Sequence, residues 1–473
     1  MLKAKEIINN DEVISLIKPL LKDYKTYLVG GYVRDALLGI QSLDRDLIVE
    51  TDDLKGLSEA LCNSLNAHFV PLDEINNIYR IVLNDKLNHI DITCPIENNL
   101  EKDLLRRDLT LNSIAYDIHN DTFIDVAGGI SDIENKIIKG ISEQNFLDDP
   151  LRFLRIYRFY SKLGFKIDKS LVNMTKEHVC SLHKSAKERI NTELIKLFEG
   201  EFAHDALFEM DEVGLINQIF PIMEQVKKVP QNSHHHLDLF EHSIETVKQI
   251  ENFYKESCEE VKEYLDENSM GNGCRLAYLK LAAFCHDIGK PSTWTIEEDS
   301  GRHRFIKHDD VGSKLVVPIL KELKFSKKQI SYIQKLIKNH IYPASVVNQC
   351  EISEKSQMKF FRKMEGSVID CIILSIADRL SARGPEITEE IVSKNICGLK
   401  NLLNKYFEIQ RTIKPLEKLL DGNEIMNILN IKASNELGQI INELKEAQIS
   451  GDVNNKEEAI LFIKKLYLEK SHK

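Results

Sequence analysis

Two short stretches decide how the chain is read: LVGGYVRD at residues 28–35 and LDRDLIV at residues 43–49. In the first, an apolar run ending at Val29 meets Gly30 and Gly31, and a helical pattern follows from around Tyr32. Paired glycines let a backbone approach a ligand closely, and the free amides at a helix N-terminus attract phosphate. Arg34 adds a charge-assisted donor for the same anion. In the second stretch Asp44 and Asp46 open an apolar strand. Side chains at i and i+2 of a strand share a face, so both carboxylates can hold the same pair of divalent ions. One ion would activate a hydroxyl nucleophile while the other neutralises charge on a triphosphate.

Outward from this pair, residues 1 to about 130 alternate helical segments with short β-rich runs, among them those around Tyr79 and His89. The run HIDIT carries Asp91, a third carboxylate at a strand end. From about residue 143 the pattern is nearly all helical, with apolar spacing such as Leu151, Leu154, Phe159 and Leu163. Val229, Pro230, Gln231 and Asn232 interrupt it, and Asp266 to Asn272 reads as a loop. At 473 residues, with 42% hydrophobic and 29% charged residues, the chain has room for two to four domains with ordinary cores. It shows no apolar span of membrane length, and its charged N-terminus lacks the stretch a signal peptide needs, so a cytoplasmic location is expected. The nine cysteines (62, 94, 180, 258, 274, 285, 350, 371 and 397) form no C-x-x-C pair, which argues against a disulfide framework or structural zinc. A net charge of −11 requires any RNA surface to be local. Lys184, Lys187 and Arg189, or the tail lysines 464, 465, 470 and 473, are candidates for it.

Two further stretches add ligand-binding chemistry. DLLRRDLTLNSIA, residues 103–115, brings Arg106, Arg107, Asp108 and Asn112 together, and a carboxylate such as Asp108 can accept from a ribose 2′-hydroxyl. In DDPLRFLRIYRF, residues 148–159, Asp149, Arg152, Arg155 and Arg158 recur every third residue. On one helix these make a ladder of guanidiniums capped by a carboxylate. Asp149 and Arg152 offer an acceptor and a donor fork for the edge of a base, while Arg155 and Arg158 can hold phosphate.

In this order and spacing the four stretches, with ERINTELIKLF at residues 188–198, resemble the class II tRNA nucleotidyltransferases, the family of CCA-adding enzymes and bacterial poly(A) polymerases. The likeness covers roughly residues 24–200. It implies an α+β head with a DNA polymerase β-like mixed sheet (1–142) and an all-α neck (143–225); the motifs of the second half, taken below, add an HD domain (226–400) and leave a helical tail (401–473). It also implies that Gly30, Gly31 and Arg34 contact the nucleotide, that Asp44 and Asp46 are catalytic and bind Mg2+, that Arg107 and Asp108 bind the sugar region, and that Asn112 is part of the nucleotide site. Asp149, Arg152, Arg155 and Arg158 would bind CTP or ATP, with the tRNA 3′ end as acceptor. One departure stands out: only Ile92 to Leu105 separates Asp91 from Arg106, a shorter interval than in relatives that complete CCA and similar to that of members adding only CC.

The second half carries His242 in HHHLDLFEHSIETV, His286 and Asp287 in FCHDIGKPS, and Asp378 in ILSIADRLSARG. Imidazoles and carboxylates converging from three helices make a site for a divalent metal. The order resembles the HD phosphohydrolases, implying a bound Mg2+, Mn2+ or Ni2+ and an activated water. His308 and His340 fall where two-metal members carry extra ligands, and His234, His235 and His236 are placed for a substrate entrance. In HD-bearing relatives of the CCA-adding enzymes this domain is associated with phosphatase and 2′,3′-cyclic phosphodiesterase activity. The expected function is CCA addition. The alternatives are CC or A addition in a split system, poly(A) synthesis, or an RNA-binding scaffold in which only the HD domain is active.

Overall fold

The structure is a computed structural model, and it describes residues 1–85, 88–229, 238–299, 301–348, 353–382, 388–412, 419–431, 435–449, 452–453 and 455–471. His234, His235, His236, Cys350 and Lys473 lie outside them, as do Pro230, Gln231 and Asn232. The chain divides into two compact units, Met1–Lys400 and Asn401–Lys473.

Seven strands form one sheet: β1 (Thr26–Val29), β2 (Asp44–Val49), β3 (His68–Asp73), β4 (Ile78–Val82), β5 (His89–Thr93), β6 (Ile114–Asp117) and β7 (Thr122–Asp125). Their order is β3-β4-β5-β2-β1-β6-β7. The β2–β5 pair is parallel and the other pairs are antiparallel, so the sheet is mixed. All four residues of β1 are buried, as a central strand requires, whereas β2 runs from the exposed Asp44 through a half-buried Asp46 to three buried residues. Register then does the positioning. Val29 pairs with Asp46 and Asp46 pairs with Asp91, so the turn after β1 emerges beside the carboxylates. Helix α1 (Gly31–Leu37) starts directly from that turn, where Gly30 adopts φ +70°.

Three of these strands escape the sequence pattern. β3 is a mostly exposed edge containing Pro71. β6 and β7 are only four residues each, too short for alternation to register.

The arginine-rich stretch forms α2 (Leu151–Leu163), packed against α3 (Lys187–Glu199). The expected ladder needs a correction here. Asp149 is not on the helix of Arg152, Arg155 and Arg158 but ends the preceding helix Glu143–Asp148, with Pro150 at the N-cap of α2. Proline suits a helix start and pushes the residue before it into extended backbone. Asp149 accordingly has φ −137° and ψ 90°.

The HD region is built from α4 (Leu239–Glu256), α5 (Arg275–Cys285), α6 (His308–Glu322), α7 (Lys327–Asn339) and α8 (Val368–Ser381). Asp238 and Glu241 cap the start of α4 reciprocally, and Ser326 and Gln329 do the same for α7. Every residue of α5 is buried, which marks it as the central helix. Its one lysine, Lys280, survives there because Nζ donates to the Gly200 carbonyl at 2.7 Å and pairs with Glu251 at 3.1 Å. A small hairpin, Trp294–Ile296 with His303–Phe305, precedes α6. The second unit has its own core around Ile425, Ile440, Leu444, Ala459 and Ile463, with Lys464 and Lys465 exposed. Among the described residues no helix is long and apolar enough to cross a membrane.

Gly289 sets the distance between the His286–Asp287 turn and α6. A Cβ there would meet the His308 carbonyl and the Gly312 backbone nitrogen far inside van der Waals contact. Gly289→Ala should therefore cost about 1–3 kcal/mol of overpacking and move His308 off Asp287. Thermal unfolding, together with metal titration of the variant, checks both outcomes.

Candidate active site and metal centre

The head encloses a cavity of about 810 Å³ reached by Gly30, Gly31, Asp44, Asp46, Arg107, Asp149 and the three arginines of α2. Asp44 and Asp46 both line it from the same face of β2, as the i, i+2 spacing requires. Burial, then the charge of Asp44, pushes the Asp46 carboxyl up to about 7, against the Arg107 guanidinium. Two crowded carboxylates of this kind fit a hard divalent cation, which takes oxygen donors and relieves their repulsion. Asp91 lies alongside in register, but both its oxygens are taken by Arg80 at 2.6 and 2.7 Å. Arg107 lies close to Gly30 and Asp46: a Cβ on Gly30 would come within 3.1 Å of an oxygen of Asp46 and a nitrogen of Arg107. The Nε of Arg107 is buried without a hydrogen-bond partner.

The far wall is a run of alternating charges. Lys162 reaches Asp35 at 3.2 Å, and Asp35 accepts from Arg34 at 2.7 and 2.8 Å. Arg34 donates to Asn112 at 2.7 Å, and Asn112 to Asp108 at 3.0 Å. Asp108 accepts from Arg155 at 2.6 Å, and Glu193 lies 3.5 Å from Arg155 and 3.1 Å from Arg158. Phe159 lies under the guanidiniums of Arg34, Arg155 and Arg158 at 5.0, 5.7 and 4.0 Å. Burial alone would raise the Asp108 carboxyl, but Arg155, Asn112 and the Leu109 amide bring it down to about 2. Burial lowers Arg158 to about 10 in spite of Glu193.

The structure thus gathers the residues singled out from the sequence into one cavity wall, while engaging several of them with protein partners. Asp108 and Arg34 are tied into the network. Arg152 donates to the Arg106 and Asn145 carbonyls at 2.8 and 3.1 Å. Asp149 is held by both terminal nitrogens of Arg189, at 3.2 and 2.7 Å. Arg106 points outward, paired with Asp103 at 2.9 Å. Asp35 and Glu193 were missed as site residues, and Arg189, named from the sequence only for an RNA surface, lines this cavity. Glu193 and Arg189 stand four apart in ERINTELIKLF, a spacing that puts both on one helix face and could have flagged them.

In the HD region His242, His286, Asp287, His308, His340 and Asp378 converge beside a second cavity of about 830 Å³. Asp287 bridges two groups. Its Oδ2 faces His242 at 3.6 Å and His286 at 3.1 Å, and its Oδ1 faces His308 at 3.2 Å and His340 at 4.0 Å. Asp378 closes the first group, 3.1 Å from His242 and 3.7 Å from His286. In His286, His308 and His340, Nδ1 lies 2.7 Å from the carbonyl three residues earlier, which leaves Nε2 of each facing the centre. Nε2 of His286 is buried without a hydrogen-bond partner, and the fully buried Asp287 carboxylate faces imidazole nitrogens on both oxygens. Buried nitrogen and oxygen donors converging in this way fit a metal ion. Burial opposes a charge on His286, yet Asp287 and Asp378 raise it to about 10; burial, with His286 and His308, lowers His340 to about 4. Lys290, from the GKP that follows the doublet, pairs with Asp287 at 2.7 Å and was also missed.

Comparison with known proteins fits this geometry. Residues 26–139 match the family described as "Poly A polymerase head domain", 164–227 "Probable RNA and SrmB- binding site of polymerase A", and 239–383 "HD domain". The chain is 29% identical to an A-adding tRNA nucleotidyltransferase of Deinococcus radiodurans, over 93% of this chain and 94% of the relative. It is 29% identical to a CC-adding tRNA nucleotidyltransferase of Thermus thermophilus, over 94% of each. A multifunctional CCA protein of Haemophilus influenzae is 30% identical over 70% of this chain and 81% of the relative. Among solved structures, the Thermotoga maritima CCA-adding enzyme complexed with tRNA shares the fold, with a TM-score of 0.57 at 20% identity over 98% of each chain.

The charge network has a pH signature. The Asp108 carboxyl is lowered from its ordinary 3.8 to about 2, so its stabilising effect is fully present above the ordinary value and fades as the pH falls toward 2. Asp108→Asn should cost about 2 kcal/mol at neutral pH. Urea unfolding should find the same deficit at pH 7 and pH 5 and a smaller one at pH 3; a deficit independent of pH would contradict it.

Proposed function

Because the chain belongs to the family of CCA-adding and related tRNA nucleotidyltransferases, we propose that it adds C and A to the tRNA 3′ end from CTP and ATP, with no nucleic-acid template. The observation that carries this reading is the cavity itself, lined both by a crowded carboxylate pair and by the arginines of α2. In the reaction the 3′-hydroxyl oxygen bonds to the α-phosphorus, the hydroxyl proton leaves, and the bond to the β-phosphate breaks to release pyrophosphate. Asp44 and Asp46 hold magnesium, which when bound neutralises developing charge on the transferring and leaving groups. Gly30 and Gly31 present backbone amides to the phosphates, and Arg107, beside them, neutralises the same end. Asp108 and Asn112 border the sugar and keep Arg155 and Arg34 in place.

Base choice falls to Asp149 and Arg152, one an acceptor and the other a donor fork, with Arg155 and Arg158 supporting the nucleotide behind them. Side chains held in a fixed wall replace a template strand in this reading. The work divides along the chain into a catalytic head (1–142), a neck (143–225), an HD phosphohydrolase domain (226–400) and a helical tail (401–473).

In the HD domain His242, His286, Asp287 and Asp378 hold one divalent cation, and Asp287, His308 and His340 a second. Such ions supply a water activated for attack on a phosphoester. Lys290 keeps Asp287 ionised and oriented.

A second reading rests on the segment before Arg106. Residues 92–105 are compact, with a 3-10 turn Ile96–Asn98 followed by helix Leu100–Leu105 capped by Asn99. That leaves little slack for a wall that must re-form between C and A, and favours a member adding only part of CCA.

Extension of tRNA transcripts ending before CCA, after C and after CC, each with CTP, ATP or both, separates the readings. Completion of CCA supports the first, arrest after CC or addition of A alone the second. Long A tails would mean poly(A) synthesis. Asp44→Ala and Asp46→Ala should each reduce nucleotide addition by at least about a hundredfold, the scale of losing one electrostatic partner of the transition state. Hydrolysis of a model phosphoester by the HD domain should persist in both variants; undiminished addition by either would remove the metal assignment.

A further inference from the structure

We propose that Asp11 is a positioning residue for the reacting centre: one carboxylate holds the glycine turn and the strand of Asp44 and Asp46 in a fixed relation. The proposal rests on the two-carboxylate reading above. Asp11 lies ahead of residue 26, where the match to the polymerase head begins. It caps helix Glu12–Ile17, accepting from the Val13 and Ile14 amides at 2.9 and 3.1 Å.

Two further groups converge on the same carboxylate. The hydroxyl of Tyr32, the second residue of α1, donates to Oδ2 at 2.7 Å. Arg45 donates from Nε to both oxygens at 3.1 and 2.9 Å, and its Nη2 lies 2.8 Å from Oδ2. Arg45 stands between Asp44 and Asp46 in β2, so it points to the opposite face of the sheet from them. There it is 4% exposed. Its Nη1 donates to the Leu43 carbonyl at 3.2 Å and to Asn88 at 2.9 Å. Leu43 immediately precedes Asp44, and Asn88 immediately precedes β5 with its Asp91.

Arg45 therefore clasps the backbone at the point where the metal-binding carboxylates emerge, and Asp11 completes the clasp. Through Tyr32 the same carboxylate anchors the first turn of α1, whose amides face the phosphates. Without Asp11 a buried guanidinium loses its counter-charge. It must then shift toward water, drawing Leu43 and Asp44 with it and loosening Tyr32. A site that works by position tolerates such displacements badly. A purely structural ion pair would behave differently, lowering stability while leaving the folded protein's metal affinity alone.

The test uses the full-length chain with Asp11→Asn, Asp11→Glu, Tyr32→Phe and Asp44→Ala, at a temperature where circular dichroism finds the variants folded. Manganese binding is read by electron paramagnetic resonance, the head sites being those lost in Asp44→Ala. The magnesium concentration for half-maximal nucleotide addition, kcat and KM for the acceptor are measured alongside. Asp11→Asn should weaken head manganese binding about tenfold and raise the magnesium requirement in step, with kcat lowered and KM for the acceptor unmoved. Tyr32→Phe should move both in the same direction by less, and Asp11→Glu should recover part of the loss. Wild-type manganese binding and magnesium requirement in folded Asp11→Asn overturn the proposal. Should Asp11→Asn fail to fold, unchanged values in Tyr32→Phe overturn it instead. If Asp44→Ala itself keeps metal binding and addition, the metal reading falls and Asp11 with it. If Asp44→Ala loses both while Asp11→Asn matches wild type, only the role of Asp11 falls.

Discussion

A charge buried in protein must be paired, and the head of this molecule meets that constraint with one continuous chain of partners. Lys162, Asp35, Arg34, Asn112, Asp108, Arg155, Glu193 and Arg158 alternate in sign or in donor and acceptor, joined by hydrogen bonds as far as Glu193 and by an ion pair from Glu193 to Arg158. The partners come from α1, from the turn around Asn112, and from α2 and α3, so the same bonds that neutralise the arginines join the sheet to the helices. Removing any one member leaves a neighbour charged and desolvated, a larger cost than the net gain of a single pair. Such mutual pairing fixes the arginines of the cavity wall relative to one another, the kind of preorganisation that selection of a ligand by side chains requires.

The two candidate sites use opposite means to hold their ligands ready. At the head, like charges are crowded: burial and Asp44 raise the Asp46 carboxyl to about 7, a repulsion that a divalent cation would relieve. In the HD region unlike groups are brought together, with imidazoles around one bridging carboxylate. There the backbone supplies the orientation, since three histidines have their Nδ1 atoms against carbonyls three residues back. Both arrangements depend on close approach at a glycine: the side chains of Asp46 and Arg107 come up to Gly30 in one, and the main chains of Gly289 and Gly312 meet in the other.

Residue type and local spacing carried a large part of this into the sequence. The paired glycines, the i, i+2 carboxylates and the H…HD…D order are local patterns, and local patterns survive in one dimension. The strands β1 and β5 and the helical second half were legible for the same reason. The short or exposed strands β3, β6 and β7 were not, because periodicity needs length and a buried face. The break at Pro150 that takes Asp149 off α2 was visible as a residue but outweighed by the i, i+3 rhythm around it.

By itself the sequence determined which chemistry is available: hard oxygen donors for a head cation, guanidiniums for a nucleotide, imidazoles and carboxylates for a second metal centre. The tertiary structure alone decided who faces whom. It placed Asp46 opposite both Val29 and Asp91, gave Asp91 to Arg80, gave Asp149 to Arg189, and brought Glu193 across to Arg155 and Arg158. These pairings join residues as many as 45 positions apart, and nothing in the local pattern around either partner encodes them. They arise from strand register and helix packing, which are settled by burial over the whole unit, and only then does each charge find its counterpart.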